Sequence, residues 1–156
     1  MRFTNTLLAI SLAVLPASLA SASRLSQDGS VAVDEVWARM TPNEDDSASV
    51  FFEVLNTGEK PDTLLSASSP VAETTILRRG KWRGWDFLNK PTTGIKIKAN
   101  SRKSFHPGAM EVTLSDFKVP VGVRSTVPVT LVFKQAGTVT IEATVANQLL
   151  GNRIKK

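Results

Sequence analysis

The chain has 156 residues, with 19 Lys and Arg against 14 Asp and Glu, a single His and no Cys. The lack of cysteine excludes disulfides, thiol catalysis and thiolate metal sites from this sequence. One His and no Tyr leave few acid–base or nucleophilic groups, and the sequence has no Gly-x-Ser-x-Gly run and no phosphate-binding glycine loop. We therefore do not expect an enzyme.

The first 22 residues have the pattern of a signal peptide. Arg2 gives a positive start, an apolar stretch of 14 residues follows at 7–20, and residues 20–22 (ASA) fit the small-residue cleavage pattern. Such a stretch is too short to cross a ~30 Å hydrocarbon core as a helix, and no Cys follows it to carry a lipid. We expect cleavage near Ala22, a periplasmic or secreted protein, and no membrane anchor.

Period-two alternation of apolar and polar residues dominates the rest of the chain and predicts strands. The clearest runs are 50–54, 95–98, 127–133 and 139–145, and Pro and Gly residues separate them. No stretch after residue 22 has a convincing helical period. The pattern predicts an all-β protein, either a sandwich or a barrel.

The sequence divides into four parts. Residues 1–22 are the expected signal peptide, and 23–30 are expected to be a flexible mature N-terminus. Residues 31–146 hold the β domain, and 147–156 form a basic C-terminal tail. The 134 residues after the signal peptide carry a formal charge of +4 and suit a single domain.

Basic residues cluster between 78 and 83, beside Trp82 and Trp85. A basic patch with aromatics can bind nucleic acid. We favour a solvated strand pair that turns at Gly80, because export would remove nucleic acid from reach and the cluster is short. Contact with an acidic partner protein stays open.

An ordered series of short stretches resembles the PCu(A)C-type periplasmic copper chaperone family. The most specific stretch is 62–72 (DTLLSASSPVA). Before it come the opening strand at 36–42 (VWARMTP) and the second strand with its Asn-x-Gly turn at 52–58 (FEVLNTG). Weaker matches follow at 94–97, 107–109, 117–118 and 131–133, with Gly137 after the last of these. The resemblance implies a cupredoxin-like Greek-key β-sandwich and a role in copper homeostasis or respiratory oxidase assembly.

The resemblance also implies where copper ligands would lie. The family binds copper with two His and two Met, and the second pair is a His-x-Met whose side chains alternation places on one face of a strand. Those positions fall at Arg78, Leu88, Glu111 and Thr113 of this sequence, with Leu88 placed to within about one residue. None of the four is a His or Met, so a degenerate metal site is expected and copper binding is doubtful.

Three other residues are alternative copper ligands. His106 precedes Pro107 in an expected turn, and Met40 ends the first strand of the domain. Met110 alternates with the apolar Val112, which favours a core position over a ligand role.

Two functions remain open from the sequence. One is a copper-handling protein that acts on a respiratory oxidase subunit or another copper-handling protein; the other is a metal-independent periplasmic interaction module on the same scaffold. We expect a monomer. Arg78 and Glu111 carry opposite charges at the two family His positions, which predicts a cross-strand ion pair; the alternative is that Arg78 points to solvent.

Overall fold

A computed structural model describes residues 24–41, 46–83 and 86–146, with the backbone alone for residues 82, 86 and 87. The described part contains eleven β-strands and no helix, so the all-β prediction is confirmed. Within it there is accordingly no helical segment that could span a bilayer. The expected signal peptide and the basic tail lie outside the described residues. The strands are β1 Arg24–Leu25, β2 Val31–Met40, β3 Ser47–Asn56, β4 Asp62–Ser68, β5 Ala72–Arg83, β6 Asp86–Pro91, β7 Ile95–Ile97, β8 Ser101–Phe105, β9 Met110–Phe117, β10 Thr126–Phe133 and β11 Gly137–Val145.

The strands form one curled sheet in the order β6-β5-β9-β3-β2-β11-β10-β4-β7, with β1 paired to β2 and β8 paired to β3. Most pairs are antiparallel, and β2 with β11 is a parallel pair. The non-consecutive neighbours require crossovers, as in a cupredoxin-like Greek-key sandwich. The predicted fold class is confirmed.

Alternation along the last two strands builds much of the core. Val127, Val129, Leu131 and Phe133 on β10 are at most 2% exposed, as are their alternating counterparts on β11. Burying each such side chain contributes about 1.5–3 kcal/mol. In the same core, Phe105 of β8 stacks on Phe52 of β3, with ring centroids 4.3 Å apart.

Four residues of the recognisable run at 62–72 are buried: Asp62, Leu64, Ser69 and Ala72. The carboxylate of Asp62 accepts backbone hydrogen bonds from Gln135 and Ala136, each at 2.9 Å, in the turn between β10 and β11. Ser69 donates through Oγ to the backbone carbonyl of Pro128 at 2.7 Å. The run therefore ties β4 to the β10–β11 pair, and Leu64 within it is fully buried.

Two boundaries differ from those expected from the sequence. Residues 24–30 are part of the folded domain: Arg24 and Leu25 pair with β2, and the backbone N–H of Ser26 donates to Val31 at 2.7 Å. Gly80 does not form a turn and lies inside β5, because its backbone pairs with Asn89 on β6 and its N–H donates to the carbonyl of Ala109. The link between β5 and β6 comes after Arg83.

Candidate functional site

Three of the four expected ligand positions share one face of the sheet. Arg78 on β5 lies directly opposite Glu111 on β9, and Ile76 lies opposite Thr113. Directly opposed residues in an antiparallel pair point to the same face, and alternation adds the residues two positions away. Arg78, Glu111 and Thr113 are therefore neighbours, each partly buried.

The fourth expected position, Leu88, does not share this face. Leu88 pairs with Lys81, whereas Asn89 pairs with Gly80, two residues along β5 from Arg78. A shift of one residue moves a side chain to the other face of the sheet. Asn89 therefore belongs with Arg78 and Glu111, and Leu88 does not, which corrects the expectation that Leu88 lies beside them. Sequence reasoning could not fix the length of the β5–β6 hairpin, and no other signal identified Asn89.

Asn89 reaches across β5 to the carboxylate on β9. Its Nδ2 donates to Oε1 of Glu111 at 2.5 Å. Gly80, which separates them on β5, has no side chain, so it leaves this path open. One guanidinium nitrogen of Arg78 donates to the backbone carbonyl of Asn89 at 3.4 Å.

The predicted direct ion pair is not formed. Among the salt bridges of the described residues, none within 4.0 Å joins Arg78 to Glu111. Instead, the side-chain amide of Asn89 donates a hydrogen bond to the Glu111 carboxylate, and the Arg78 guanidinium donates to a main-chain oxygen. We call Arg78, Asn89, Glu111 and Thr113 the polar cluster.

Two oxygens of the polar cluster are buried without a hydrogen-bond partner. They are Oδ1 of Asn89 and Oγ1 of Thr113. A buried polar atom that lacks a partner costs about 1–3 kcal/mol. The cluster therefore offers unsatisfied oxygen acceptors at its centre, beside a carboxylate and a guanidinium.

These donors do not fit the ion that the sequence resemblance implies. Cu(I) is a soft ion that prefers thioether sulfur, thiolate and imidazole. Amide, hydroxyl and carboxylate oxygens are hard ligands, and the fixed positive charge of Arg78 repels a cation. In the described ranges, no group of three or more His, Cys, Asp and Glu side chains could hold a metal ion.

The three alternative ligands do not form a replacement site. Met40 lies opposite Ala48, and Ala48 lies opposite Leu114 on β9. Met110 is four residues from Leu114, so it lies about 13 Å along β9 from the level of Met40 at the usual strand rise. Both methionines pack against the core. His106 is exposed, and its Nδ1 lies 3.0 Å from the carbonyl oxygen of Pro107.

Solved structures share this fold. The copper-bound PCuAC domain from PmoF2 superposes with a TM-score of 0.66 at 24% identity, covering 80% of this chain and 97% of that domain. The apo PCuAC domain from PmoF1 gives 0.64 at 25% identity, covering 76% and 96%. The Cu(I) form of DR1885 from Deinococcus radiodurans gives 0.58 at 22%, covering 74% and 78%. The similarity confirms the PCuAC-type fold suggested by the sequence.

A sequence-family model also matches the chain. None of the curated proteins compared with the chain matches it. The sequence model of the LpqE-like lipoprotein family matches residues 31–145. This range is nearly the whole described domain. The chain belongs to the LpqE-like family.

Proposed function

We propose that the protein is an exported copper-handling protein whose ligand face has lost the copper-binding side chains of its structural relatives. Two of those relatives were solved with copper bound, and the fold here is the same. The role would be to bind or pass on copper, without catalysis. Copper would be held weakly, or together with a partner such as a respiratory oxidase subunit or another copper-handling protein.

The observation that supports a lost site is the bonding within the polar cluster. Asn89 and Glu111 bond to each other at 2.5 Å, and Arg78 bonds to Asn89. A metal ion would have to break these contacts to reach the carboxylate. The Glu111 carboxylate is therefore already bonded to a neighbouring side chain, in contrast to a free ligand.

The same bonding favours a second candidate, a metal-independent interaction module. In that case the polar cluster would be a recognition surface, and the unpartnered oxygens of Asn89 and Thr113 would accept hydrogen bonds from a partner. The two candidates share the fold and differ in whether Cu(I) is retained.

A Cu(I) titration against chelators of graded strength distinguishes them. We expect the protein to lose Cu(I) to any strong chelator, because its cluster presents hard oxygen donors and a cation. Retention of one Cu(I) against the weakest chelator would support copper handling, and loss to every chelator would support the module. His106→Ala should change neither result. Tight one-to-one binding that His106→Ala abolishes would contradict the proposed position of the site.

Export is a separate prediction. Processing at Ala20-Ser21-Ala22 should leave Ser23 as the first residue. Intact-mass analysis and N-terminal peptide mapping of the protein from the exported fraction should therefore begin at Ser23. A protein that retains Met1 and sediments with membranes would contradict the proposal.

A further inference from the structure

Positive charge is concentrated in one part of the chain. Nine of the 19 Lys and Arg, but only one of the 14 Asp and Glu, fall between residues 78 and 103. That segment has a formal charge of +8 within a chain of +5, so the remainder carries −3. The segment comprises the end of β5, all of β6 and β7, and the start of β8.

One group of these cations lies on the face of the β5–β6 hairpin opposite the polar cluster. Arg79 and Lys81 alternate along β5, and Lys90 on β6 lies directly opposite Arg79. These residues line a cleft together with Leu88 and Thr92. Like charges placed directly opposite each other destabilise a sheet, so the fold carries this arrangement at a cost.

A second group of cations adjoins the first group through Arg79. This side chain also lines a neighbouring cleft with Lys96, Lys98 and Lys103, and with Arg102. Lys96 belongs to β7 and Lys103 to β8. The two clefts therefore form one continuous surface, which we call the cationic groove: Arg79, Lys81, Lys90, Lys96, Lys98 and Lys103.

Among the described side chains, the cations of the cationic groove are not paired with carboxylates. In the part of the chain that the structure describes, none of its six cations has a carboxylate oxygen within 4.0 Å. Arg102 at its border differs, because it pairs with Glu53 and Asp34, and the hydrogen bond with Glu53 raises its pKa. Clustered cations in a cleft focus a positive potential that attracts anions from solution.

We propose that the cationic groove docks an acidic, Asp- and Glu-rich segment of a partner protein. A concave surface fits an extended chain better than a flat bilayer. Peripheral membrane proteins also insert apolar side chains beside their basic residues. Of the four exposed large apolar side chains in the described ranges, only Leu65 lies on a strand next to the groove; the others are Leu25, Val119 and Val123.

This proposal does not depend on copper. The groove uses the opposite face of β5 from the polar cluster, since Arg79 follows Arg78 along the strand. Failure of copper binding would leave it unchanged, and its own failure would leave the copper proposal unchanged.

The test is an NMR titration of the ¹⁵N-labelled protein with a twelve-residue polyglutamate peptide. Amide shifts should be confined to β5–β8, and affinity should fall as salt rises. The triple variant Lys81→Gln, Lys90→Gln and Lys96→Gln should weaken binding by about tenfold, since each exposed pair contributes modestly. Its thermal midpoint should not fall, because like-charge repulsion is relieved.

A matched triple variant removes three exposed cations outside the groove: Arg24→Gln, Lys118→Gln and Arg124→Gln. It should bind the peptide within about twofold of the wild type, because none of these three side chains lines either cleft. Equal weakening in the two triple variants, or shifts outside β5–β8, would overturn the proposal. Tighter binding to phosphatidylglycerol vesicles or to a twelve-residue oligothymidylate at matched charge would also overturn it.

Discussion

Four substitutions should convert this chain into a tight Cu(I) binder: Arg78→His, Asn89→Met, Glu111→His and Thr113→Met. All four positions lie on one face of β5, β6 and β9, so two imidazoles and two thioethers would converge where the polar cluster now lies. These are ligands that Cu(I) prefers. Changing a residue that merely supports a ligand alters metal affinity by 10–100-fold, so installing the ligands themselves should raise it by more than about 100-fold.

The matched control moves one methionine by one residue. A second quadruple variant carries Leu88→Met in place of Asn89→Met, with the other three changes retained. Leu88 pairs with Lys81 on the other face of the sheet. The thioether of a methionine at position 88 therefore cannot join the site. Competition with a Cu(I) chelator should therefore show clearly weaker binding. Circular dichroism checks that both variants fold, since added side-chain volume at partly buried positions can strain packing. Equal affinities in the two would show that the ligand face has been placed wrongly.

The second large effect is expected at Asp62. Its carboxylate, in a residue that is 4% exposed, accepts from the backbone N–H groups of Thr63 at 2.6 Å and of Gln135 and Ala136 at 2.9 Å each. Asp62→Ala leaves these donors without their acceptor, two of them in the turn between β10 and β11. Hydrogen bonds to charged groups contribute about 1.5–3 kcal/mol each. We expect the free energy of unfolding to fall by about 3–5 kcal/mol, a large part of the total for a domain of this size.

Urea unfolding measures this loss of unfolding free energy, and two further variants serve as comparisons. Asp62→Asn keeps one carbonyl acceptor and should cost about 1–2 kcal/mol. Glu142→Ala removes an exposed carboxylate on β11 and should stay within about 0.5 kcal/mol of the wild type. An Asp62→Ala protein less than about 1 kcal/mol below the wild type would show that the turn does not depend on this carboxylate.

Structural contacts such as those of Asp62 account for the recognisable run at 62–72. The run at 62–72 contains Asp62, the buried Leu64, Ser69 bonded to Pro128, and the buried Ala72. Each of these residues holds strands together, and none lies in the polar cluster. The contacts of this run therefore serve the fold and do not involve the polar cluster.

The sequence by itself determined the strands, the buried faces and the family resemblance. Alternation is a local property of the backbone, so Val127 to Phe133 and the apolar partners of Met110 could be assigned without tertiary information. It also placed Arg78 and Glu111 correctly as facing positions once the resemblance supplied the pairing of their strands.

Only the tertiary structure decided which side chains meet. The register between β5 and β6 depends on the hairpin that joins them, and a difference of one residue decides whether Leu88 or Asn89 shares the face of Arg78. The hydrogen bond from Asn89 to Glu111 follows from that register and from the missing side chain of Gly80. Arg79, Lys96 and Lys103 form one groove because three separate strands carry them to the same surface, and strand packing of this kind is set by long-range contacts that no local pattern encodes.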